Sequence, residues 1–310
     1  MPTMTVTYDD VESAAERIGG HVLRTPVLEI SPGLFLKLEQ LQHSGSFKVR
    51  GAFNRILSAG ELPPSGVIAA SGGNHGLAVA YAAKALGVRA EIFVPEVSSP
   101  VKVAGLRALG AEVNQVGAIY AEAAEAAGKR AAETGALQVH AYDQPEVVAG
   151  QGTTGLELMA QTGGVDTVVV AVGGGGFAAG VTVGAGTAGG SGPRIVAVEP
   201  LLCPTLHEAL RAGHPVPVEV SGVGADALGA SRLGGIAYDV LSRADVQSVL
   251  VSDDAIVAAR RALWSEHRMV TEHAGAAAYA ALLSGAYVPA DGERVAVVVC
   301  GSNTDPATLA

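Results

Sequence analysis

Apolar positions along the chain follow two spacings. Short continuous apolar runs recur, and between them lie longer stretches in which apolar residues return every three or four positions. The first spacing predicts strands buried on both faces, and the second predicts amphipathic helices that cover them. Val11, Ala14, Ala15 and Ile18 share one face of a helix over Tyr8 to Ile18. Arg24-Thr25-Pro26 closes that unit, because the residue before proline avoids helix. A strand at Leu34 to Leu38 and a helix at Gly51 to Ala59 follow, stopped by Gly60 and Pro63-Pro64.

From Gly66 the two spacings alternate. Strands at Val67 to Ala70, Ala90 to Val94, Glu112 to Val116 and Gln138 to Ala141 enclose helices at His75 to Leu86, Val101 to Leu109 and Tyr120 to Glu133. The second half repeats the rhythm. Its strands are Thr167 to Val172, Arg194 to Glu199, Gln247 to Val251 and Arg294 to Cys300. Its helices are Gln151 to Thr162, a small-residue stretch up to about Gly186, Thr205 to Ala212, Asp253 to Arg268 with Asp253 as N-cap, and Glu272 to Leu283. Gly213 to Asp239, rich in glycine and proline, reads mainly as loop. The pattern predicts an α/β protein with two domains, each an open, mostly parallel sheet flanked by helices. Residues 65–143 form the smaller domain, inserted into a larger one made of residues 1–64 plus 144–310. No regulatory domain is expected after the last strand.

At 49% hydrophobic and 16% charged residues, the 310-residue chain can bury a sizeable core. Its formal net charge of −10 argues against nucleic acid or an anionic membrane as main partner, since both are held by clustered cations. The N-terminus lacks the basic and apolar regions of a secretory signal, and Cys203 and Cys300 show neither metal-ligand spacing nor a disulfide framework. A cytoplasmic location is the expectation.

Charge also directs attention to one residue. Only five of the 20 basic residues are lysines, and Lys48 lies in Ser44-Gly45-Ser46-Phe47-Lys48-Val49-Arg50-Gly51-Ala52. A lysine amine, unlike a guanidinium, can lose its proton and form a Schiff base with an aldehyde. Several turns sit just past predicted strands, where open α/β sheets bind ligands. Ser71-Gly72-Gly73-Asn74-His75 opens a helix with unpaired amides suited to a carboxylate. Gly173 to Gly176 also follows a strand and opens a helix, so its amides can close around a phosphate. It lacks the lysine of a phosphate-binding Walker loop. Cys300 closes the last strand, and Glu199 stands shortly before Cys203. There is no Gly-x-Ser-x-Gly, His-Glu-x-x-His or Cys-x-x-Cys. On these residues alone a dinucleotide-binding module or a non-catalytic binding protein remains open.

The ordered set of motifs resembles the pyridoxal-phosphate enzymes of the tryptophan-synthase-β fold, and within them the serine/threonine dehydratases, or ammonia-lyases. The resemblance runs through Arg24-Thr25-Pro26, Ser46 to Ala52, Ala70 to Gly76, Lys102 with Gly110 to Val113, Pro145 to Thr153, Gly173 to Gly176, Val198-Glu199-Pro200 and Glu272 to Ala276. It implies pyridoxal 5'-phosphate as cofactor, held by Lys48 through a Schiff base and packed by Phe47. It further implies that Asn74 bonds the phenolic oxygen, Gly173, Gly174, Gly175 and Gly176 cradle the phosphate, and Cys300 faces the pyridine nitrogen. Ser71, Gly72, Asn74 and His75 would line the substrate side. The implied reaction is β-elimination from L-threonine or L-serine to a 2-oxo acid and ammonia, by a homodimer. Serine racemase, threonine synthase and dehydratases of hydroxyaspartate or phenylserine are the alternatives. The chain departs from the family pattern at three positions. His273 replaces a proline. Thr205 replaces an acid beside the cation ligands implied at Glu199 and Cys203, which leaves at most a monovalent cation there. Gly72 replaces a serine found in racemases.

Overall fold

Strands from the N-terminal and C-terminal parts of the chain, Leu34–Leu38 and Val295–Val299, pair in one sheet. The computed structural model describes residues 6–187 and 192–309. In chain order the elements are α1 (Tyr8–Ile18), β1 (Val27–Ser31), β2 (Leu34–Leu38), α2 (Lys48–Ser58), β3 (Val67–Ala70), α3 (Asn74–Ala85), β4 (Ala90–Val94) and α4 (Pro100–Ala108). Next come β5 (Glu112–Gln115), α5 (Tyr120–Thr134), β6 (Leu137–Gln138), α6 (Pro145–Thr162), β7 (Thr167–Ala171), α7 (Gly176–Ala185) and β8 (Arg194–Pro200). The remainder is α8 (Thr205–Ala212), α9 (Ala225–Leu228), α10 (Gly235–Leu241), β9 (Val246–Val251), α11 (Asp253–His267), α12 (His273–Leu283) and β10 (Val295–Val299).

A six-stranded sheet has the order β1-β2-β10-β7-β8-β9, parallel except for β1, and a four-stranded sheet has the parallel order β5-β4-β3-β6. The strands β7 and β10 are buried at every position, which is why they read as unbroken apolar runs. Two main apolar clusters result. One fills the large sheet and its helices. The other joins the small sheet and α3 to Val49, Ala52, Phe53 and Ile56 of α2 and to Ile18, so α2 packs on α3, a helix of the small-sheet unit, although it precedes residue 65. On its other flank α2 lies directly on α6: a Cβ at Gly51 would sit 2.5 Å from Gln151 Nε2, and one at Gly150 would sit 2.8 Å from the Gly51 Cα. The helix that begins with Lys48 is therefore wedged between α3 and α6.

Several elements differ from the sequence reading. β1 is an edge strand with mostly solvated side chains, so it carries no apolar signal. α6 begins at Pro145, a favoured first helical residue, six positions before Gln151. Gly213 to Asp239 contains α9 and the start of α10. The N-terminus of α10 is capped from a distance by Asp143, whose carboxylate accepts from the amides of Gly235 and Ile236 at 3.0 Å each. The cap of α11 is Ser252, not Asp253: Ser252 Oγ accepts from Ala255 N, while the Asp253 carboxylate is taken up by Val223 N. Of Gln138 to Ala141 only Gln138 lies in a strand, β6. The residues beyond it serve the site instead.

Candidate active site

The carboxyl ends of β3, β7 and β10 open onto one cavity, and the loops that leave them carry most of its lining. Phe47, Lys48, Asn74, Tyr142, Gly173 to Gly176, Phe177, Leu228, Glu272 and Cys300 surround it. A surface groove lies at the opposite end of the large sheet's strands, beside Leu34 and Val295, where β2 and β10 begin. It is an open, largely polar trough with none of these groups.

Lys48 is the first residue of α2 and its amine donates to the Ala141 carbonyl at 2.7 Å. The residue keeps some surface toward the cavity, but protein atoms crowd the amine. That desolvation lowers its pKa to about 8, with the charge of Glu272 opposing the shift. At neutral pH roughly a tenth of the amine is unprotonated, against well under a thousandth for an ordinary lysine. The Phe47 ring stacks on Phe177 at 3.7 Å and lies 5.1 Å from the Lys48 amine.

The glycine turn is shaped by one aromatic side chain. A Cβ on Gly174 would fall 2.3 Å from the Tyr142 ring, and one on Gly176 would fall 2.1 Å from the Tyr142 carbonyl. Gly175, with φ +84°, caps α7 in the left-handed region. Four residues without side chains therefore bring the amides at the start of a ten-residue helix to the cavity wall. Residues His140 to Asp143 organise this corner: Ala141 holds the lysine, Tyr142 covers the glycines and Asp143 anchors α10.

Cys300 is buried, and its thiol donates to the Ala274 carbonyl at 3.5 Å. Burial and the nearby Glu272 push its pKa well above the usual thiol range, so it is neutral. Asn74 begins α3 and donates from Nδ2 to Glu272 Oε1 at 2.6 Å. Burial raises the Glu272 pKa to about 7 against the pull of that hydrogen bond.

The other sequence candidates lie at varied distances from this cavity. Ser71 Oγ accepts from Gly73 N within the β3–α3 turn. Gly72 is open enough for a Cβ, which would meet Ser98 Oγ at 3.5 Å, an ordinary contact. The His75 imidazole does not line the cavity. It is buried, desolvation and the nearby Lys48 lower its pKa to about 3, and its Nε2–H must donate to the Val139 carbonyl at 2.9 Å. Glu199 and Cys203 are turned to protein partners. The Glu199 carboxylate accepts from Leu206 N and His207 N, the Thr205 hydroxyl donates to the Gly173 carbonyl, and the Cys203 carbonyl accepts from Thr205 N. Among the described residues no cluster of three His, Cys, Asp or Glu could hold a metal, and the Glu199 carboxylate is already engaged by two backbone amides. Glu272, Tyr142, Phe177 and Leu228 are cavity residues that sequence reasoning did not assign to the site. Glu272 carried a signal as the acid of the Glu272 to Ala276 motif, whereas Tyr142 acts through a contact between distant segments that no local pattern reveals.

A family model for pyridoxal-phosphate dependent enzymes matches residues 18–301. The chain belongs to that family. Within it, the chain is 36% identical over 308 residues to an L-threonine ammonia-lyase of Thermotoga maritima, covering 97% of this chain and 76% of that one. It is also 36% identical over 321 residues to a phenylserine dehydratase of Ralstonia pickettii, covering 99% of this chain and 97% of that one. The structure of maize serine racemase superimposes with a TM-score of 0.91 at 30% identity, covering 98% of this chain and 96% of that one. The protein is thus a pyridoxal-phosphate enzyme of the threonine ammonia-lyase/dehydratase family, with the two-sheet fold expected from its sequence. The residues present fit the cofactor: a desolvated lysine for its aldehyde, helix-start amides at a side-chain-free turn for its phosphate, and Asn74 and a neutral thiol for the edges of its ring. Among the described residues no helix is long and apolar enough to cross a membrane.

Proposed function

We propose that the protein removes water from L-threonine or L-serine and releases a 2-oxo acid and ammonia. Pyridoxal phosphate supplies an electron-withdrawing ring that acidifies the Cα–H bond of an amino acid joined to it. The chain's own groups supply the rest. The Lys48 amine, unprotonated in useful amounts at neutral pH, takes the proton from Cα. Cys300 stays a thiol, so the site offers no carboxylate at that position to hold a ring nitrogen protonated. With that sink weakened, the electron pair left by the Cα proton is best discharged by breaking the bond from Cβ to the hydroxyl. Loss of the Cα proton and the β-hydroxyl as water leaves an enamine, and hydrolysis of its imine tautomer gives the 2-oxo acid and ammonia. The amides opening α3 and α7 hold the anionic groups while this happens.

The observation that carries this reading is a single cavity containing the desolvated Lys48 amine, the glycine turn and a neutral Cys300 thiol. Two 36%-identical relatives, an ammonia-lyase and a dehydratase, support it. Gly72, which offers no hydroxyl, weighs against racemisation as the main activity. The test is product analysis with L-threonine, L-serine, phenylserine and hydroxyaspartate, scoring 2-oxo acid, ammonia and D-amino acid. Equal molar yields of 2-oxo acid and ammonia from threonine or serine are expected. Formation of D-serine without 2-oxo acid, or turnover of phenylserine alone, would overturn the proposal.

A further inference from the structure

The segment that follows β10 is stitched to the stretch that precedes Lys48. The carbonyl of Cys300 accepts from Phe47 N, Gly301 bridges Ser46, Ser302 N donates to the Gly45 carbonyl at 2.9 Å, and Ser302 Oγ donates to the Gln40 carbonyl at 2.9 Å. At its end stands Asn303, whose side-chain amide lies flat on Gly45; a Cβ there would fall 2.6 Å from Asn303 Oδ1. Asn303 is exposed, yet both hydrogens of its Nδ2 have acceptors: the Ser44 carbonyl at 2.8 Å and Asn74 Oδ1 at 2.7 Å.

These contacts fix the direction of the chain of amides. A backbone carbonyl can only accept, so the Asn303 nitrogen, not its oxygen, must face Ser44. Its second hydrogen then requires an acceptor on Asn74, which turns the Asn74 carbonyl toward Asn303 and its nitrogen toward Glu272. Ser44 presents its carbonyl from a left-handed backbone conformation, φ +59°, rare for a residue with a side chain. Nδ2 of Asn74 carries two hydrogens, and Glu272 Oε1 takes one. Among the described residues the other has no protein acceptor, and Asn74 lines the cavity.

We propose that Asn303 is a positioning residue that sets the polarity of the Asn74 amide, so that Asn74 offers a hydrogen-bond donor to an oxygen anion on the cofactor ring. The inference rests on Asn74 as a cofactor ligand and is independent of which amino acid is turned over. Replacing Asn303 with aspartate keeps size and shape but removes both donors. The Asn74 amide then turns its nitrogen toward the new carboxylate and its carbonyl toward Glu272, which the added negative charge keeps protonated and able to donate, and the donor to the cofactor is lost. Asn303→Ala removes the constraint without reversing it.

The test compares apo protein and holoenzyme of the wild type, Asn303→Asp and Asn303→Ala. Titration of apo protein with pyridoxal phosphate reads affinity, the visible absorbance band reads the ring's surroundings, and thermal unfolding of the apo form reads the fold. Asn303→Asp is expected to weaken cofactor binding about tenfold, the value of one charge-assisted hydrogen bond partly open to water. Asn303→Ala should weaken it by less, the band should move most in Asn303→Asp, and both apo variants should melt near the wild type. A residue that only fills space would give the reverse order, because alanine removes more atoms. Alanine as damaging as aspartate, or both variants within twofold of the wild type with an unmoved band, overturns the proposal. If Asn303→Asp fails to fold, an unmoved band in Asn303→Ala overturns it alone. No substrate enters the measurement, so failure of the dehydratase reading leaves the result interpretable.

Discussion

Replacing Arg50 with methionine tests how the lysine-bearing helix is held. Arg50 lies two residues beyond Lys48 and its guanidinium is fully buried. Nε and one terminal nitrogen donate to both oxygens of Glu39 at 2.8 Å each, and the terminal nitrogens reach Glu157 at 2.8 and 2.9 Å. Lys37, also fully buried, donates to Glu157 at 2.8 Å. Two cations thus balance two carboxylates, joining α2, α6 and the end of β2. Burial alone would raise the Glu39 pKa, but the charge and hydrogen bonds of Arg50, with Lys37 and Thr25, hold it below the usual carboxylate range. Removing Arg50 leaves a surplus buried negative charge, at a cost of about 3–5 kcal/mol. A carboxyl with a lowered folded pKa contributes stability above its unfolded pKa and loses it as pH falls through the folded value. In Arg50→Met that contribution is gone, so the deficit against the wild type should shrink toward acid pH. The double variant Arg50→Met/Glu39→Met keeps the Lys37–Glu157 pair and restores neutrality, so it should be more stable than Arg50→Met alone. Urea unfolding of the apo proteins, followed by circular dichroism, gives all four corners of the cycle. Additive losses, or a single-variant cost under about 1 kcal/mol, would refute the reasoning, since coupled buried charges cannot behave so.

Three further outcomes follow from the site. Gly174→Ala drives a methyl into the Tyr142 ring and should lower cofactor affinity at least tenfold, by direct titration, with a smaller effect on apo stability. Glu272 has a raised pKa, so the folded state binds its proton more tightly than the unfolded state and stability falls as pH rises from about 4.5 toward 7. Glu272→Gln, which can still accept from Asn74, should flatten that slope in apo unfolding; an unchanged slope would place the titration elsewhere. Finally, the rate at which apo protein captures pyridoxal phosphate should rise with pH, pass its midpoint near pH 8 and level off about one pH unit higher, following the Lys48 amine. A rate still climbing steeply at pH 10 would mean an ordinary lysine.

Much of this molecule could be read from its sequence because the relevant signals are local. β7 and β10 announce themselves as buried apolar runs, and the Gly173 to Gly176 turn lies where a strand hands over to a helix. Lys48 stood out through the scarcity of lysine. What escaped depends on contacts between distant segments. The cap of α10 is Asp143, some ninety residues away, so its start looked like loop. Predicting a strand through Ala141 missed the reason it ends early, since the Ala141 carbonyl receives the Lys48 amine. Thr205 drew attention to the Glu199 corner, but only the structure shows the amides at the start of α8 donating to the Glu199 carboxylate.

Trapping the cofactor on the protein probes the covalent role of Lys48 most directly. Borohydride reduction of the holoenzyme, followed by proteolysis and mass mapping, should place the pyridoxyl group on the peptide that contains Lys48 and on none of the other four lysines. A label on Lys37, Lys84, Lys102 or Lys129, or no label on a protein that still turns over threonine, would contradict it.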